Sequence, residues 1–153
     1  MRPMTADDVS SYQQIMRDNG CADVGDVFER KARADLIEKI IGYRLEDTIW
    51  FAGFLKDDPE SLGLEMLFSP THIEHEWHVR FINTLSSRRG RNLMPEALNE
   101  IIPVIASLTG AKAFSAYVRA ANKSSVRVME KTGFKSQGLL PNQCEYLNFI
   151  RPA

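Results

Sequence analysis

The first forty residues carry apolar side chains at helical spacing. Thr5 and Asp8 form a T-x-x-D pattern typical of a helix start, and apolar residues then recur every three or four positions until Asn19-Gly20. A second run from about Val24 to Ile41 has an apolar stripe and ends just before Gly42, a residue type common after helix ends. We therefore predict two amphipathic helices in this part of the chain.

The next segment has the shorter periods of β-strands. Residues 48–55 are apolar and aromatic but too few for a helix, and turn-forming residues 56–59 separate them from a second run, 62–68, which predicts a hairpin. From His72 to Leu85 the sequence alternates between two faces, which predicts a further strand. Its apolar face holds Ile73, Trp77, Val79 and Phe81, and its polar face holds His72, Glu74, Glu76, His78 and Arg80.

The last third predicts a helix, a strand, a helix and a strand. Residues 95–108 have helical spacing, and a proline at position 103 is expected to kink the helix. Its core-facing residues are Ala97, Leu98, Ile101, Ile105 and Leu108. A strand is predicted at 113–118, a short helix at 123–131 and a final strand at 146–150. No linker or repeat interrupts this order, so we expect one α/β domain over residues 1–153.

The composition is that of an ordinary globular protein, with 153 residues of which 44% are apolar and 25% charged. No apolar stretch approaches the roughly 18 residues of a membrane-spanning helix, and acidic residues stand where a secretory signal has its apolar region. Cys21 and Cys144 can form at most one disulfide, and two reduced, buried thiols are the simpler expectation. These features favour a cytoplasmic protein without a membrane partner.

The charges are unevenly distributed although they sum to −1. Residues 1–87 hold 9 Lys or Arg and 16 Asp or Glu, a net charge of −7, and residues 88–153 hold 10 and 4, a net charge of +6. The basic half begins within segment 86–92, Ser-Ser-Arg-Arg-Gly-Arg-Asn, which joins a predicted strand to a predicted helix. The free N–H groups of a helix start suit such a junction to phosphate or pyrophosphate. A solvated basic loop is the alternative.

Residues 122–134 read Asn-Lys-Ser-Ser-Val-Arg-Val-Met-Glu-Lys-Thr-Gly-Phe, and residues 89–94 begin within the basic segment described above. Both motifs resemble the GNAT superfamily, the Gcn5-related N-acetyltransferases that use acetyl-coenzyme A. Residues 122–134 follow that family's N-x-x-S-x-R-x-x-E-K-x-G-F pattern. Residues 89–94, Arg-Gly-Arg-Asn-Leu-Met, stand where the family has its R-G-x-G-x-G/A pyrophosphate loop. The opening residues 2–8 are also similar, so the resemblance covers nearly the whole chain. It implies a GNAT-like fold, with a central, mostly antiparallel sheet flanked by helices.

Asn92 and Met94 depart from the family's loop, where glycine lets the backbone approach phosphate oxygens without a Cβ in the way. Asparagine is a mild change, because it tolerates unusual backbone angles and its amide can contact a phosphate. Met94 leaves two interpretations open. Its side chain can pack beneath the loop into the sheet, or it can crowd the cofactor.

The resemblance assigns acetyl-CoA contacts to three parts of the chain. The loop N–H groups would hold the pyrophosphate, the backbone of a splayed strand end would hold the pantetheine arm, and the start of the last helix would contact that arm. Arg88, Arg91 or Lys123 would reach the 3′-phosphate. The implied cofactor positions are Thr84, Leu85, Arg88, Arg89, Gly90, Arg91, Asn92, Leu93, Met94, Asn122 and Ser125. For the basic residues, the alternative is a solvated position on the surface. For Asn122 and Ser125, the alternative is capping of the helix start.

His78 is implied as the general base, because it lies eleven residues before Arg89, where histone-acetylating family members carry a catalytic glutamate. Imidazole titrates near neutrality, so the exchange is chemically workable. Glu76, on the same predicted face, would bind an ammonium group or relay a proton through water. A polar face wetted by solvent is the alternative for both side chains.

The resemblance assigns no proton donor for the departing thiolate, because Met129 stands where many family members have a tyrosine. Tyr117 and Tyr146 are candidates, and core positions with satisfied hydroxyls are the alternative for both. No metal site is expected, since H-x-x-H-x-x-H is no standard zinc spacing and His75 would point away from its neighbouring histidines on a strand.

The expected function is an acetyl-CoA-dependent N-acetyltransferase that acts on a primary amine. The acidic half favours a cationic acceptor, such as a small amine, a polyamine or an exposed protein amine. Nucleic acid is not an expected partner, because the overall charge is balanced. The alternative is a GNAT-fold binding or regulatory module with little catalysis. A homodimer formed through late strands such as 146–150 is the assembly that the resemblance implies.

Overall fold

The computed structural model describes residues 2–3, 14, 49–56, 58–141 and 143–153. The two predicted N-terminal helices lie outside these residues, apart from Gln14, which is helical. Cys21 lies outside them as well. None of the helices in the described segments has the length and apolar content needed to cross a membrane.

Seven strands and two helices make up the described residues. The strands are β1 (Arg2–Pro3), β2 (Ile49–Leu55), β3 (Asp58–Pro70), β4 (Glu76–Thr84), β5 (Ala113–Arg119), β6 (Lys135–Leu140) and β7 (Gln143–Pro152). The helices are α1 (Leu93–Thr109) and α2 (Lys123–Lys131), and a single 3-10 turn covers Ser86–Arg88. The strands form one sheet in the order β1-β2-β3-β4-β5-β7-β6.

The sheet combines both kinds of strand pairing. β1 is antiparallel to β2, and β7 is antiparallel to both β5 and β6. β4 and β5 are parallel. A parallel pair requires a crossover connection, and α1 lies within the connection between these two strands. The predicted α/β fold, with a mixed sheet flanked by helices, is therefore confirmed.

The chain divides into two compact units. The first comprises Met1–Leu67 and Phe81–Leu93, and the second comprises Phe68–Arg80 and Met94–Ala153. The first unit contains β2 and the basic loop, and the second contains β5, β6, β7 and α2. The expectation of a single domain over the whole chain stays a prediction.

Helix α1 and strand β5 contribute most of the described core of the second unit. α1 buries an apolar stripe that comprises Met94, Pro95, Ala97, Leu98, Ile101, Ile102 and Ile105. On β5, Phe114, Ala116 and Val118 are buried at alternating positions, as expected for one face of a strand. Phe114 meets Phe68 edge to face, with 6.2 Å between ring centroids. The other face of β5 carries Ser115, Tyr117 and Arg119.

Strand β4 begins at Glu76, four residues later than predicted. The Thr71 N–H donates to the Glu76 carbonyl at 3.0 Å, and the Glu76 N–H donates to the Ile73 carbonyl at 3.1 Å, which closes a turn. His75 has a φ of 61°, a left-handed value that a strand cannot contain. Ile73 is consequently exposed instead of lying on an apolar strand face.

Other features of the described residues also differ from the prediction. β3 begins at Asp58, inside the predicted turn. Leu108 is exposed, although its spacing placed it on the core face of α1. β6 was missed, because its first five residues are all exposed and carry no apolar alternation. Packing against distant segments determines the structure at these positions, and the local pattern of apolar residues does not reveal that packing.

Leu98 and Leu108 give a matched test of this packing. Leu98 has an exposure of 0% and Leu108 an exposure of 71%, and both lie on α1. We expect Leu98→Ala to lower the free energy of unfolding by about 2–5 kcal/mol, because it leaves a cavity. Leu108→Ala should change it by no more than about 0.5 kcal/mol. Urea denaturation measures both, and equal losses would contradict the described burial of α1.

Candidate active site

The start of strand β4 and the middle of β5 form a polar surface in the second unit. Their parallel register pairs Glu76 with Ala113, Trp77 with Phe114 and His78 with Ser115. Beyond His78 this register ends, while β5 remains paired with β7 as far as Arg119. Side chains two residues apart share one face of a strand, so Glu76 and His78 lie on the same side of β4.

A continuous hydrogen-bonded chain links Glu76, Ser115 and His78. The Ser115 hydroxyl donates to Glu76 Oε1 at 2.7 Å, and Ser115 Oγ lies 2.9 Å from His78 Nδ1. Ser115 has an exposure of only 2%. Sequence reasoning assigned roles to Glu76 and His78 and missed Ser115, which is 37 residues from His78 in the chain.

The surroundings of His78 favour a neutral imidazole. Burial, and to a lesser degree the positive charge of Arg80, lower the pKa of His78 from 6.5 to about 4. Arg80 itself donates from Nε to Ser69 Oγ at 2.9 Å. The imidazole also lies against Tyr117, with 4.5 Å between the ring centroids. At neutral pH the imidazole is therefore unprotonated, and it holds a proton less readily than a free imidazole does.

The basic loop of the first unit connects β4 to α1 through two left-handed residues. After the 3-10 turn, Gly90 has a φ of 76° and Asn92 has a φ of 60°, and α1 begins at Leu93. Backbone segments that alternate in handedness direct successive N–H groups to one side and bind anions. Among the described residues, and apart from its chain neighbours, no atom lies within 4 Å of a Cβ built on Gly90.

The arginines of the loop differ in their contacts. Arg88 forms a salt bridge with Asp58 at the start of β3, a partner that the sequence did not suggest. Arg89 donates from Nε to the Thr84 carbonyl at 3.3 Å, and the Leu85 N–H donates to the Gly63 carbonyl at 2.9 Å. Arg91 is exposed. Arg88 is thus already neutralised, which weakens its assignment to a phosphate.

The two departures from the family loop have different structural outcomes. Asn92 adopts the left-handed conformation that glycine would supply, since asparagine tolerates it better than most residues. Met94 has an exposure of 5% and belongs to the buried stripe of α1, where its side chain packs into the core. The structure therefore favours a Met94 side chain buried in the core over one that crowds a ligand.

The start of α2 has the capping role that was the alternative to cofactor binding. Asn122 Oδ1 accepts from the Ser125 N–H at 3.2 Å and from the Ser124 hydroxyl at 2.8 Å. Such a cap satisfies a helix N–H group that has no partner within the helix. Contacts of Asn122 and Ser125 with a cofactor stay predictions.

The two candidate tyrosines lie in different surroundings. Tyr117 has an exposure of 48%, so it is not the core aromatic considered as its alternative, and its ring contacts His78. The Tyr146 hydroxyl accepts from Arg119 Nε at 2.9 Å. Met129, at the family's tyrosine position, is buried in the core.

The remaining sequence expectations concern histidines, cysteines and the late strands. His72 and His75 belong to the turn before β4, and the described residues contain no cluster of three or more potential metal ligands. Cys144 is exposed, contrary to the expected buried thiol. Residues 146–150 lie in β7 between β5 and β6, so they do not form a free edge for dimerisation. The edge strand at this end of the sheet is β6.

Comparisons with known proteins place these features in context. The family model described as the Acetyltransferase (GNAT) domain matches residues 1–135. No curated protein sequence matches significantly. A PaiA N-acetyltransferase from Thermoplasma acidophilum in complex with coenzyme A is 12% identical with a TM-score of 0.75, covering 99% of this chain and 97% of the other.

Two further solved structures show the same fold. A chimeric spermidine N-acetyltransferase SpeG from Vibrio cholerae and hSSAT is 11% identical with a TM-score of 0.75, and coverage is 99% of this chain and 94% of the other. A ribosomal-protein-S5-alanine acetyltransferase from Vibrio fischeri is 14% identical with a TM-score of 0.72, and coverage is 99% and 91%.

The lowered pKa of His78 predicts a specific pH dependence of stability. As the pH falls from 6.5 towards about 4, the unfolded chain binds a proton at this histidine before the folded chain does, so stability is lost in that window. His78→Gln removes the titration. We expect the stability of the native sequence relative to His78→Gln to fall by roughly 2–3 kcal/mol between pH 7 and pH 4.

Urea denaturation at several pH values measures this difference. His72→Gln, which removes an exposed imidazole from the preceding turn, is the matched control for the substitution itself. A difference between the native protein and His78→Gln that does not change with pH would contradict the buried, neutral state of His78.

Proposed function

Because the chain belongs to the GNAT acetyltransferase family, we propose that it is an acetyl-CoA-dependent N-acetyltransferase that acts on a primary amine. The observation that carries this proposal is the loop at residues 89–94, where two left-handed residues precede α1 in the segment matched by the family model. The PaiA structure, which has the same fold, is a complex with coenzyme A.

The residues of the loop fit an anionic phosphate ligand. The left-handed Gly90 and Asn92 direct backbone N–H groups towards one side, and the first N–H groups of α1 have no partner within the helix. The helix dipole favours negative charge at the same end. Arg91, exposed and without a salt-bridge partner among the described residues, adds a positive charge. We assign the pyrophosphate to this backbone. For the 3′-phosphate we assign Arg91 in preference to Arg88.

The pantetheine arm is assigned to the backbone around Thr84 and Leu85. The Thr84 carbonyl accepts from Arg89 Nε, and because a carbonyl oxygen has two lone pairs we assign it a second hydrogen bond, from an amide of the arm. The Leu85 N–H is engaged by Gly63. We therefore propose that the Thr84 carbonyl, and not the Leu85 N–H, makes the main hydrogen bond with the arm.

The chemistry is the attack of a neutral amine on a thioester, which transfers the acetyl group and releases a thiol. The attacking nitrogen must lose a proton as its bond to carbon forms, and we assign His78 as the group that accepts it. The imidazole is neutral at pH 7, as a base must be, and its pKa of about 4 makes it a weaker base than a free imidazole. Tyr117 is our candidate for proton donation to the thiolate, because its ring contacts His78, the proposed base.

The acceptor is proposed to be a cationic amine. The net charge of −7 over residues 1–87 attracts cations. Two proteins of the same fold are named for a polyamine, spermidine, and for an alanine of ribosomal protein S5. A small polyamine and an exposed protein amine therefore head the panel to be tested. A cytoplasmic location and a homodimer stay predictions.

The first test is binding of acetyl-CoA, measured by its effect on thermal unfolding. At a concentration one hundred times its dissociation constant, acetyl-CoA should stabilise the fold by about 2.7 kcal/mol. Arg91→Ala should weaken binding about tenfold, since it removes a charge-assisted contact. Arg127→Ala, which removes an exposed arginine from α2, is the matched control. The absence of any shift at millimolar acetyl-CoA would rule out the proposed cofactor.

The second test is thiol release from acetyl-CoA over a panel of amines. Spermidine, a simple monoamine and a peptide with a free N-terminus represent the acceptor classes. His78→Gln should lower turnover by about 100-fold or more while leaving the acetyl-CoA thermal shift in place. Binding without turnover for every amine would favour the alternative, a GNAT-fold binding module. Unchanged turnover in His78→Gln would exclude His78 as the base.

A further inference from the structure

The hydrogen-bonded chain from Glu76 to His78 has a defined direction. Glu76 and His78 are two residues apart on one face of β4, and the Ser115 hydroxyl lies between their polar atoms from the neighbouring strand. A glutamate carboxylate only accepts hydrogen bonds, so the single hydroxyl proton of Ser115 points to Glu76. The lone pairs of Ser115 Oγ are then what His78 faces.

This direction determines the tautomer of His78. With the Ser115 proton committed to Glu76, the contact at 2.9 Å is a hydrogen bond only if His78 Nδ1 carries a proton and donates it to Ser115 Oγ. Since the imidazole is neutral, its other nitrogen, Nε2, then carries a lone pair. The hydrogen bond made by one ring nitrogen thus fixes which nitrogen is basic.

We propose that Glu76 and Ser115 are positioning residues that hold His78 in the Nδ1–H tautomer, so that Nε2 is the atom that accepts the proton of the attacking amine. This inference rests on the proposed acetyltransferase function. It changes the role of Glu76, which the sequence assigned to ammonium binding or to a proton relay through water. The carboxylate acts here through Ser115, and it does not touch the amine.

The burial of Ser115 makes the arrangement rigid. At an exposure of 2%, its hydroxyl has both of its hydrogen bonds inside the protein, one donated and one accepted. Hydrogen bonds between buried groups are stronger than the same bonds in water, and an unpaired member of the chain is costly. Loss of any member should therefore release the imidazole from its tautomer.

The same order of residues argues against a serine nucleophile. In a nucleophilic triad the serine hydroxyl donates its proton to histidine, and the carboxylate orients the histidine from its other nitrogen. Here the serine stands between the carboxylate and the histidine, and its proton is directed to the carboxylate. Ser115 is therefore oriented to support the imidazole, and not to attack a carbonyl group.

The direct test is the ¹⁵N NMR spectrum of the His78 imidazole at pH 7. In the native protein, Nδ1 should have the chemical shift of a protonated ring nitrogen and Nε2 that of an unprotonated one. Ser115→Ala should move the ring towards the Nε2–H form that free histidine prefers, and Ser115→Thr, which keeps the hydroxyl, should retain the native pattern. Thr132→Val, which removes a buried hydroxyl that donates to the Val128 carbonyl, is the control and should also retain it.

The effect of the His78 tautomer on catalysis is tested by steady-state kinetics with an amine that the protein acetylates. Ser115→Ala should lower kcat about 10- to 100-fold, part of what general acid–base catalysis supplies, with KM for acetyl-CoA nearly unchanged. Ser115→Thr should recover most of the loss. A Ser115→Ala enzyme with native kcat would overturn the positioning role even if the tautomer changed.

The two readouts separate this inference from the proposed function. An Nε2–H tautomer in the native protein would overturn the inference whatever the activity, and it needs no variant to fold. An Nδ1–H tautomer that is lost in Ser115→Ala, in a protein without turnover on any amine, would support the arrangement and contradict the proposed function.

Discussion

The parallel pairing of β4 with β5 is the constraint on which the rest of the second unit depends. One face of β5 inserts Phe114, Ala116 and Val118 into the core, and the alternation of a strand then fixes Ser115 and Tyr117 on the other face. The register places His78 beside Ser115. A shift of β5 by one residue would exchange its two faces. It would disrupt both the apolar core and the hydrogen-bonded chain of Glu76, Ser115 and His78. Stability and chemistry therefore constrain the same register.

The role proposed for the loop of the first unit depends on its backbone conformation. The role proposed for Glu76, Ser115 and His78 depends on their side chains. Its two left-handed positions, Gly90 and Asn92, determine where the N–H groups point, and the buried Met94 anchors the helix that follows. A residue with a Cβ can serve at position 92 because asparagine accepts a positive φ at small cost. Departure from a family pattern in residue type thus need not be a departure in backbone shape.

Local signals in the sequence were sufficient for some elements and not for others. The predicted bounds of α2 match the structure, because Asn122 caps its start and Gly133 follows its end with a φ of 81°. β6 gave no signal, since an exposed edge strand does not need apolar alternation. His78 was implied by the family resemblance, and Glu76 by its place on the same strand face. Ser115 and Asp58 could not be predicted, because each acquires its partner through contacts between distant segments. Their roles lie in tertiary register, which one sequence does not display.

The salt bridge between Arg88 and Asp58 has a consequence for how the loop responds to ions. Because the Asp58 carboxylate neutralises Arg88, Arg88 does not attract a counterion from solution. Ligand binding therefore releases no counterion from Arg88. Arg88 therefore contributes little to the sensitivity of anion binding to ionic strength. Asp58 acts as a built-in counterion, which lowers the attraction of the loop for anions in general and leaves discrimination to the shape of its backbone.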